Sequence, residues 1–334
     1  TKYRVKLFFR KLRDTANFSI ETSFARMAGS FPGDSEFVLE KFSLSHFSNG
    51  VLPRLRGILE ARKHRGDINH VTGDVHYIVL GLPGRQTVLT IHDCGLLGHP
   101  NPVVRRLLKW IWLDLPVRHC RYVTAVSAAT KNDIIRYTGC FPDKVIVIPT
   151  VIDDAFQREE KVFNESCPRI LHIGLAPNKN FERHVAAITG LDCYFHIVGK
   201  LQPEHVEMLE KYGIEYTWEY NISQSRMQAA YAESDLVLFA STLEGFGMPI
   251  VEAQLIGRPV VTSNLSSMPE VAGDAACFVD PYSVDSIRQG VSTVINDRAF
   301  RDALIQKGFA NVARFSAETV ARQYEALYRR LIRP

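Results

Sequence analysis

Short, largely apolar runs recur along the chain: Val5–Phe9, Phe37–Leu39, Val88–Ile91, Tyr122–Ser127, Val145–Pro149, Arg169–Gly174, Tyr194–Lys200, Leu236–Ala240 and Pro259–Thr262. Runs this short without polar alternation are strands buried on both faces, which points to parallel sheets. Between them, apolar residues return at helical spacing. That spacing predicts helices near Ser19–Phe24, over Val51–Arg65, Pro102–Pro116 and Ala128–Tyr137, from Phe181, after Pro249 and over Phe315–Leu331. Strand alternating with helix is the signature of an α/β chain. The polar segment Thr150–Ser166, with two acidic pairs, predicts a linker. Expected domains are therefore 1–152 and 153–315, followed by a closing helix over 316–334.

The stretch most suited to chemistry follows Leu236–Ala240. It reads Ser241-Thr242-Leu243-Glu244-Gly245-Phe246-Gly247-Met248-Pro249-Ile250-Val251-Glu252. Gly245 and Gly247 permit a turn with no side chain between backbone and ligand. Pro249 suits the first helical turn. The N–H groups of the new helix then face the turn and form an anion site, most simply for phosphate. Glu244 and Glu252 flank that site and would repel a bare phosphate, so they are expected to accept hydrogen bonds from hydroxyls, a sugar on one side and a ribose on the other. The competing structural reading is a plain strand-to-helix connection with surface glutamates. Arg169–Gly174 followed by Lys179 repeats the strand-glycine-helix form, with a lysine at the turn.

Glu-Gly-Phe-Gly-Met-Pro-Ile-Val-Glu-Ala-Gln at 244–254, Gly-Arg-Pro-Val-Val-Thr-Ser-Asn at 257–264 and Met-Pro-Glu-Val-Ala-Gly-Asp-Ala-Ala at 268–276 closely resemble the family-4 retaining glycosyltransferases of the GT-B fold. With weaker matches the resemblance covers roughly residues 68–330. It implies two Rossmann-like domains whose parallel sheets face each other across a cleft, with the last helix crossing back to the first domain. It also implies that Glu244 contacts the donor sugar, that Glu252 holds the ribose, and that Gly245-Phe246-Gly247 and Met248 face sugar and diphosphate. Lys179 matches the diphosphate-binding lysine, with Gly174, Asn178 and Gly199 at the same two turns and the base between Gly199 and the loop Tyr216–Ser223. His92, in Thr90-Ile91-His92-Asp93, matches a histidine that approaches the donor sugar.

Two departures stand out. Asn17-Phe18-Ser19 replaces a double-glycine loop, although Asn17 and Ser19 are still expected to line the acceptor side. Leu175 and Asn178 occupy places where relatives carry an arginine, and Arg183, a turn into the helix, is the candidate replacement. The serine-rich Thr262–Ser267, followed by Met268-Pro269-Glu270, resembles mannosyltransferase-type members and favours GDP-mannose. The family uses no bound metal, and the nucleotide sugar is a co-substrate rather than a cofactor.

Charge divides unevenly: residues 1–150 carry 22 Lys+Arg against 12 Asp+Glu, and the remainder 18 against 24. A basic first half invites an anionic partner such as a membrane surface. Arg105, Arg106 and Lys109, with Trp110 and Trp112 on the same predicted helix, make 102–116 a candidate in-plane membrane element. The alternative is a core helix with one basic face. No motif supports nucleic acid as the partner. His70, Asp74 and His76 cluster around Gly73. That spacing is too sparse for a metal site and is read, with Asp93, as lining the cleft. Asp153-Asp154 is read as a turn. Six scattered cysteines without Cys-x-x-Cys spacing, no apolar stretch of membrane-spanning length and no leader-like start predict a cytoplasmic chain, peripheral on the inner membrane face if 102–116 meets lipid.

The resulting expectation is a hexosyltransferase moving sugar from GDP-mannose or a UDP-sugar to a glycan or lipid-linked acceptor, as in bacterial-type surface polysaccharide synthesis. The alternatives are a nucleotide-sugar epimerase or a phosphorylase on the same scaffold, or a non-catalytic sugar-nucleotide-binding subunit.

Overall fold

A computed structural model describes residues 2–11, 19–153 and 155–333. Asn17 and Asp154 therefore lie outside the described residues. The chain divides into two compact units, Thr1–Val151 with Phe315–Pro334, and Ile152–Arg314.

The first unit holds β1 (Tyr3–Phe9), β2 (Phe37–Ser43), β3 (Ile68–Val71), β4 (Thr87–Ile91), β5 (Tyr122–Ala125) and β6 (Val145–Val147). They form one sheet in the order β2-β1-β3-β4-β5-β6, with every pair parallel. The four residues of β3 and the five of β4 are all buried, as central strands covered on both faces are. Strand order reverses between β1 and β3, so a crevice belongs beyond their carboxyl ends.

The second unit repeats the plan with β7 (Arg169–Ile173), β8 (Tyr194–Val198), β9 (Tyr216–Glu219), β10 (Leu236–Phe239), β11 (Val260–Ser263) and β12 (Cys277–Val279). Its order is β12-β11-β10-β7-β8-β9, again parallel throughout. The reversal falls between β7 and β10, the two strands that feed the glycine turns.

Helix Ala317–Ile332 belongs to the first unit. Ser316 caps it, its Oγ accepting from Thr319 N at 3.2 Å. Tyr324 and Tyr328, one turn apart, are buried against Phe24 and Phe37, with ring centres 5.7 and 5.8 Å away. Val320, Leu327 and Leu331 join Val5, Leu7 and Phe9 in the same core.

The structure departs from the sequence reading at two elements. Residues 102–116 are not one regular helix: α-helical Pro102–Leu108 passes into a π-helical Lys109–Asp114 and then into Leu115–His119. Pro116 has no N–H to give the carbonyl of Trp112, four residues back, and its ring would crowd that carbonyl. His76 Nδ1–H donates to that oxygen instead, at 2.6 Å. The first half of the expected loop Tyr216–Ser223 is the edge strand β9. It is short and half exposed, so no apolar run announces it, and pairing with β8 supplies its backbone hydrogen bonds.

Candidate functional site

In the second unit the switch point gathers most of the residues expected of a donor site. Gly174 takes φ +83° at the end of β7, and a Cβ there would meet the Lys179 stem at 3.2 Å, so glycine gives the lysine its path. Lys179 Nζ donates to Glu244 Oε1 at 2.6 Å and lies 4.6 Å from the Phe239 ring centre. Asn178 Nδ2 donates to the same Glu244 oxygen at 3.2 Å and to Leu243 O at 2.8 Å, tying the two glycine turns together. Lysine and glutamate side chains keep 20% and 13% of their surface, so the pair can still be reached by a ligand.

The glutamate loop is held from a neighbouring segment. Ser266 and Ser267 hydroxyls donate to Glu244 O at 2.7 and 3.0 Å, and Ser267 also reaches Phe246 O at 2.8 Å. The turn ends at Gly247, whose φ of +104° excludes most other residues, and helix Met248–Ile256 starts there with Pro249 in its first turn. Phe246 and Gly247 are buried, Met248 half-buried. Glu252, one turn in, accepts from the Tyr231 hydroxyl at 2.5 Å. Burial pushes the Glu252 carboxyl up to about 7; Asp153 pushes the same way, while the Tyr231 hydrogen bond and Lys179 oppose the shift.

Arg183 points elsewhere: it donates to Asn180 Oδ1 at 3.0 Å and lies over the Tyr282 ring. Gly199, where a Cβ would meet Leu175 at 3.0 Å, lets β8 turn beside β7. A recess of about 830 Å³ in this unit sits at the opposite, amino-terminal ends of the strands. Its charges are already paired, Lys161 with Asp235 at 2.5 Å and Arg301 with Glu165 at 2.9 Å, so it makes no claim as a ligand site.

In the first unit the expected residues do not form one cluster. His70 is in the middle of β3, fully buried, between Tyr328 OH and Thr90 Oγ1, each at 2.7 Å. Burial lowers its pKa to about 3, so it is neutral. His92 Nε2–H donates to Thr72 O at 2.8 Å, which leaves Nδ1 as the ring's remaining polar atom. Gly73, at φ +142°, makes room for that ring, since a Cβ would fall 2.6 Å from it. Asp74 accepts from Arg10 at 2.5 Å, while His76 serves Trp112 O. Asp93 closes its own turn by accepting from Gly95 N at 2.7 Å. Ser19 opens helix Ser19–Gly29. Among the described residues no three His, Cys, Asp or Glu side chains come together in a way that could hold a metal ion.

Tyr231, which no motif marks, and the bracing by Ser266 and Ser267 are visible only in the structure. The serine-rich run after β11 was the available signal for the latter pair.

Two parallel six-stranded sheets joined by helices make this the GT-B fold. Residues 153–310 match the family described as glycosyl transferases group 1, and residues 24–156 match glycosyltransferase family 4. Together the two matches run over residues 24–310. It is 28% identical over 218 residues to the serotype-specific mannosyltransferase WbdA of Escherichia coli, covering 58% of this chain and 27% of that one. It is 29% identical over 249 residues to the MMP α-(1→4)-mannosyltransferase of Mycolicibacterium hassiacum, covering 70% and 60%. The chain thus spans only part of the length of these curated relatives. Among solved structures, Anabaena HepE in complex with UDP and glucose superposes with a TM-score of 0.75 at 17% identity over 98% of this chain and all of that one. A glycosyltransferase from Rickettsia africae does so at 0.74 and 17%, covering 99% of both.

Proposed function

We propose that this protein transfers a hexose, with retention of configuration, from a nucleotide-diphosphate sugar to a glycan or lipid-linked acceptor, with GDP-mannose favoured over a UDP-sugar as donor. The observation that carries the reading is the Lys179–Glu244 pair beside the amino end of helix Met248–Ile256. In this reading the diphosphate draws Lys179 from Glu244 to itself, and the freed carboxylate accepts from the sugar hydroxyls. The bond from the anomeric carbon to the diphosphate oxygen breaks while a bond to the acceptor oxygen forms on the same face, and the acceptor hydroxyl's proton passes to the departing diphosphate oxygen. Lys179 and the helix end stabilise the charge left on the diphosphate. Two of the relatives are mannosyltransferases, which supports the choice of sugar.

The experiment is transfer from GDP-mannose and UDP-glucose, with and without EDTA, by wild type and Glu244→Ala. Turnover that ignores EDTA and falls in the variant supports the reading. Donor binding without transfer or donor hydrolysis would favour a binding subunit.

The membrane surface is part of the same proposal. Along Pro102–Leu108 and into Trp110, the side chains of Val103, Leu107 and Trp110 are 75%, 53% and 51% exposed, with Arg105 and Arg106 exposed beside them. Lys109 turns inward to Asp114 at 2.7 Å, so two rather than three basic groups remain outward. Helix Val51–Lys63 likewise exposes Val51, Leu52, Leu55 and Leu59 next to Arg56, Arg62 and Lys63. Apolar ridges flanked by arginine suit an anionic bilayer interface. Among the described residues no helix is long and apolar enough to cross a membrane. Co-sedimentation with phosphatidylglycerol vesicles, lost in Arg105→Glu/Arg106→Glu, tests this; equal binding by the variant rejects it.

A further inference from the structure

The motif that marks Glu252 says nothing of what holds it. The structure brings in helix Gln224–Glu233, which is fixed at several points. Arg226 on this helix bonds Glu219 of β9 at 2.6 Å and Glu233 at 2.7 Å. The buried Arg258 guanidinium donates to Tyr231 O at 3.2 Å and Ala232 O at 2.8 Å, locking the backbone at the last turn. From that turn the Tyr231 ring, wholly buried and edge-on to Phe156 at 5.5 Å, directs its hydroxyl to Glu252 Oε2 at 2.5 Å. The same helix sends Gln224 to the carboxylate of Asp153, whose other oxygen accepts from Ala155 N at 2.8 Å. One helix therefore supplies a donor to each of two carboxylates that repel one another.

We propose that Tyr231 is a positioning residue of the nucleotide site: its phenol occupies one oxygen of Glu252 and keeps the carboxylate ionised in one rotamer, presenting the other oxygen to the ribose hydroxyls. This rests on reading Glu252 as the ribose contact. A hydroxyl donating to an ionised carboxylate is a strong hydrogen bond, and it favours the charged form. Charge is in question here because burial and Asp153 favour the proton, while only the phenol and Lys179 oppose it. Removing the phenol oxygen tips that balance. The carboxyl group then holds its proton to higher pH and accepts more weakly from the ribose.

The test is calorimetric titration of GDP and UDP into wild type, Tyr231→Phe, Glu252→Gln and the double variant between pH 5.5 and 8.5. In the expected result, wild-type affinity falls toward acid. Tyr231→Phe is roughly tenfold weaker at pH 7, its acid limb is displaced to higher pH, and it recovers by pH 8.5. Glu252→Gln is weak and flat with pH, and adding Tyr231→Phe to it costs nothing more. A Tyr231→Phe profile identical to wild type, or lowered by one factor at every pH, overturns the proposal. Wild-type affinity in Glu252→Gln overturns the ribose reading and the proposal with it. Should Tyr231→Phe fold poorly, Glu252→Asp withdraws the carboxylate from the phenol but keeps its charge. The same displaced limb is expected there, and an unshifted limb overturns the proposal.

Discussion

The two switch points were built on the same topological plan and spend their polar residues differently. Beyond β7 and β10, Lys179, Glu244 and Asn178 satisfy one another at the surface, in a pairing a ligand can take over. Within β3 and the loop after it, three of the expected polar groups are already committed: His70 to Tyr328 and Thr90, Asp74 to Arg10, His76 to Trp112 O. In the proposed function, the first arrangement holds charge in reserve for a ligand. The second uses histidine and aspartate to fasten strands, a π-helical segment and the C-terminal helix. Residue type alone does not make a site; what matters is whether the structure leaves the group's capacity unspent.

The sharpest way to break this contrast is Lys179→Met. If the lysine serves the leaving diphosphate, kcat should fall about 100- to 1,000-fold while the thermal midpoint moves by only a few degrees. A comparable loss of stability would make the pair structural, like those of the first unit. Gly73→Ala probes the other side. The added Cβ collides with the His92 ring at a positive φ, so a loss of about 2–3 kcal/mol is expected in denaturant unfolding; an unchanged midpoint would show that the loop is slack.

Glu252→Gln sharpens the comparison further. A carboxyl whose folded pKa is raised to about 7 stabilises the fold fully below its unfolded value near 4.5, and that contribution is lost as pH rises through 7. The neutral variant should therefore be more stable than wild type at pH 8 by about 2 kcal/mol. Equal stability at pH 8 would mean that Glu252 carries no such burden. The smallest effect concerns the buried histidines. His70 and His172 are lowered to about 3 and about 4 by burial, so the unfolded chain takes up protons first as pH falls below 6.5. Stability should decline from pH 6.5 toward 4, by about 1 kcal/mol per histidine at pH 5.5, and His172→Asn should flatten the slope. A thermal midpoint independent of pH over that range would contradict it.

Most of the architecture was legible because parallel strands buried on both faces leave short, largely apolar runs, and glycine turns followed by helix starts leave Gly and Pro at fixed places. Glu244, Lys179 and Glu252 were legible for the same reason: their spacing is set locally by a strand, a turn and a helix. β9 was not, because an edge strand need not be apolar. The π-helical turn was not either, although Pro116 marked it, because its rescue comes from His76, 40 residues away in the chain.

The sequence by itself determined the alternation of strand and helix, the two glycine turns and the charged residues placed at them, since each depends on neighbours within about one helical turn. Only the tertiary structure decided that His70 is a neutral core residue, that Ser266 and Ser267 brace the Glu244 loop, and that Tyr231 holds Glu252. Those outcomes depend on which distant segments are packed together, and burial, not spacing, sets whether a polar group is spent or kept in reserve.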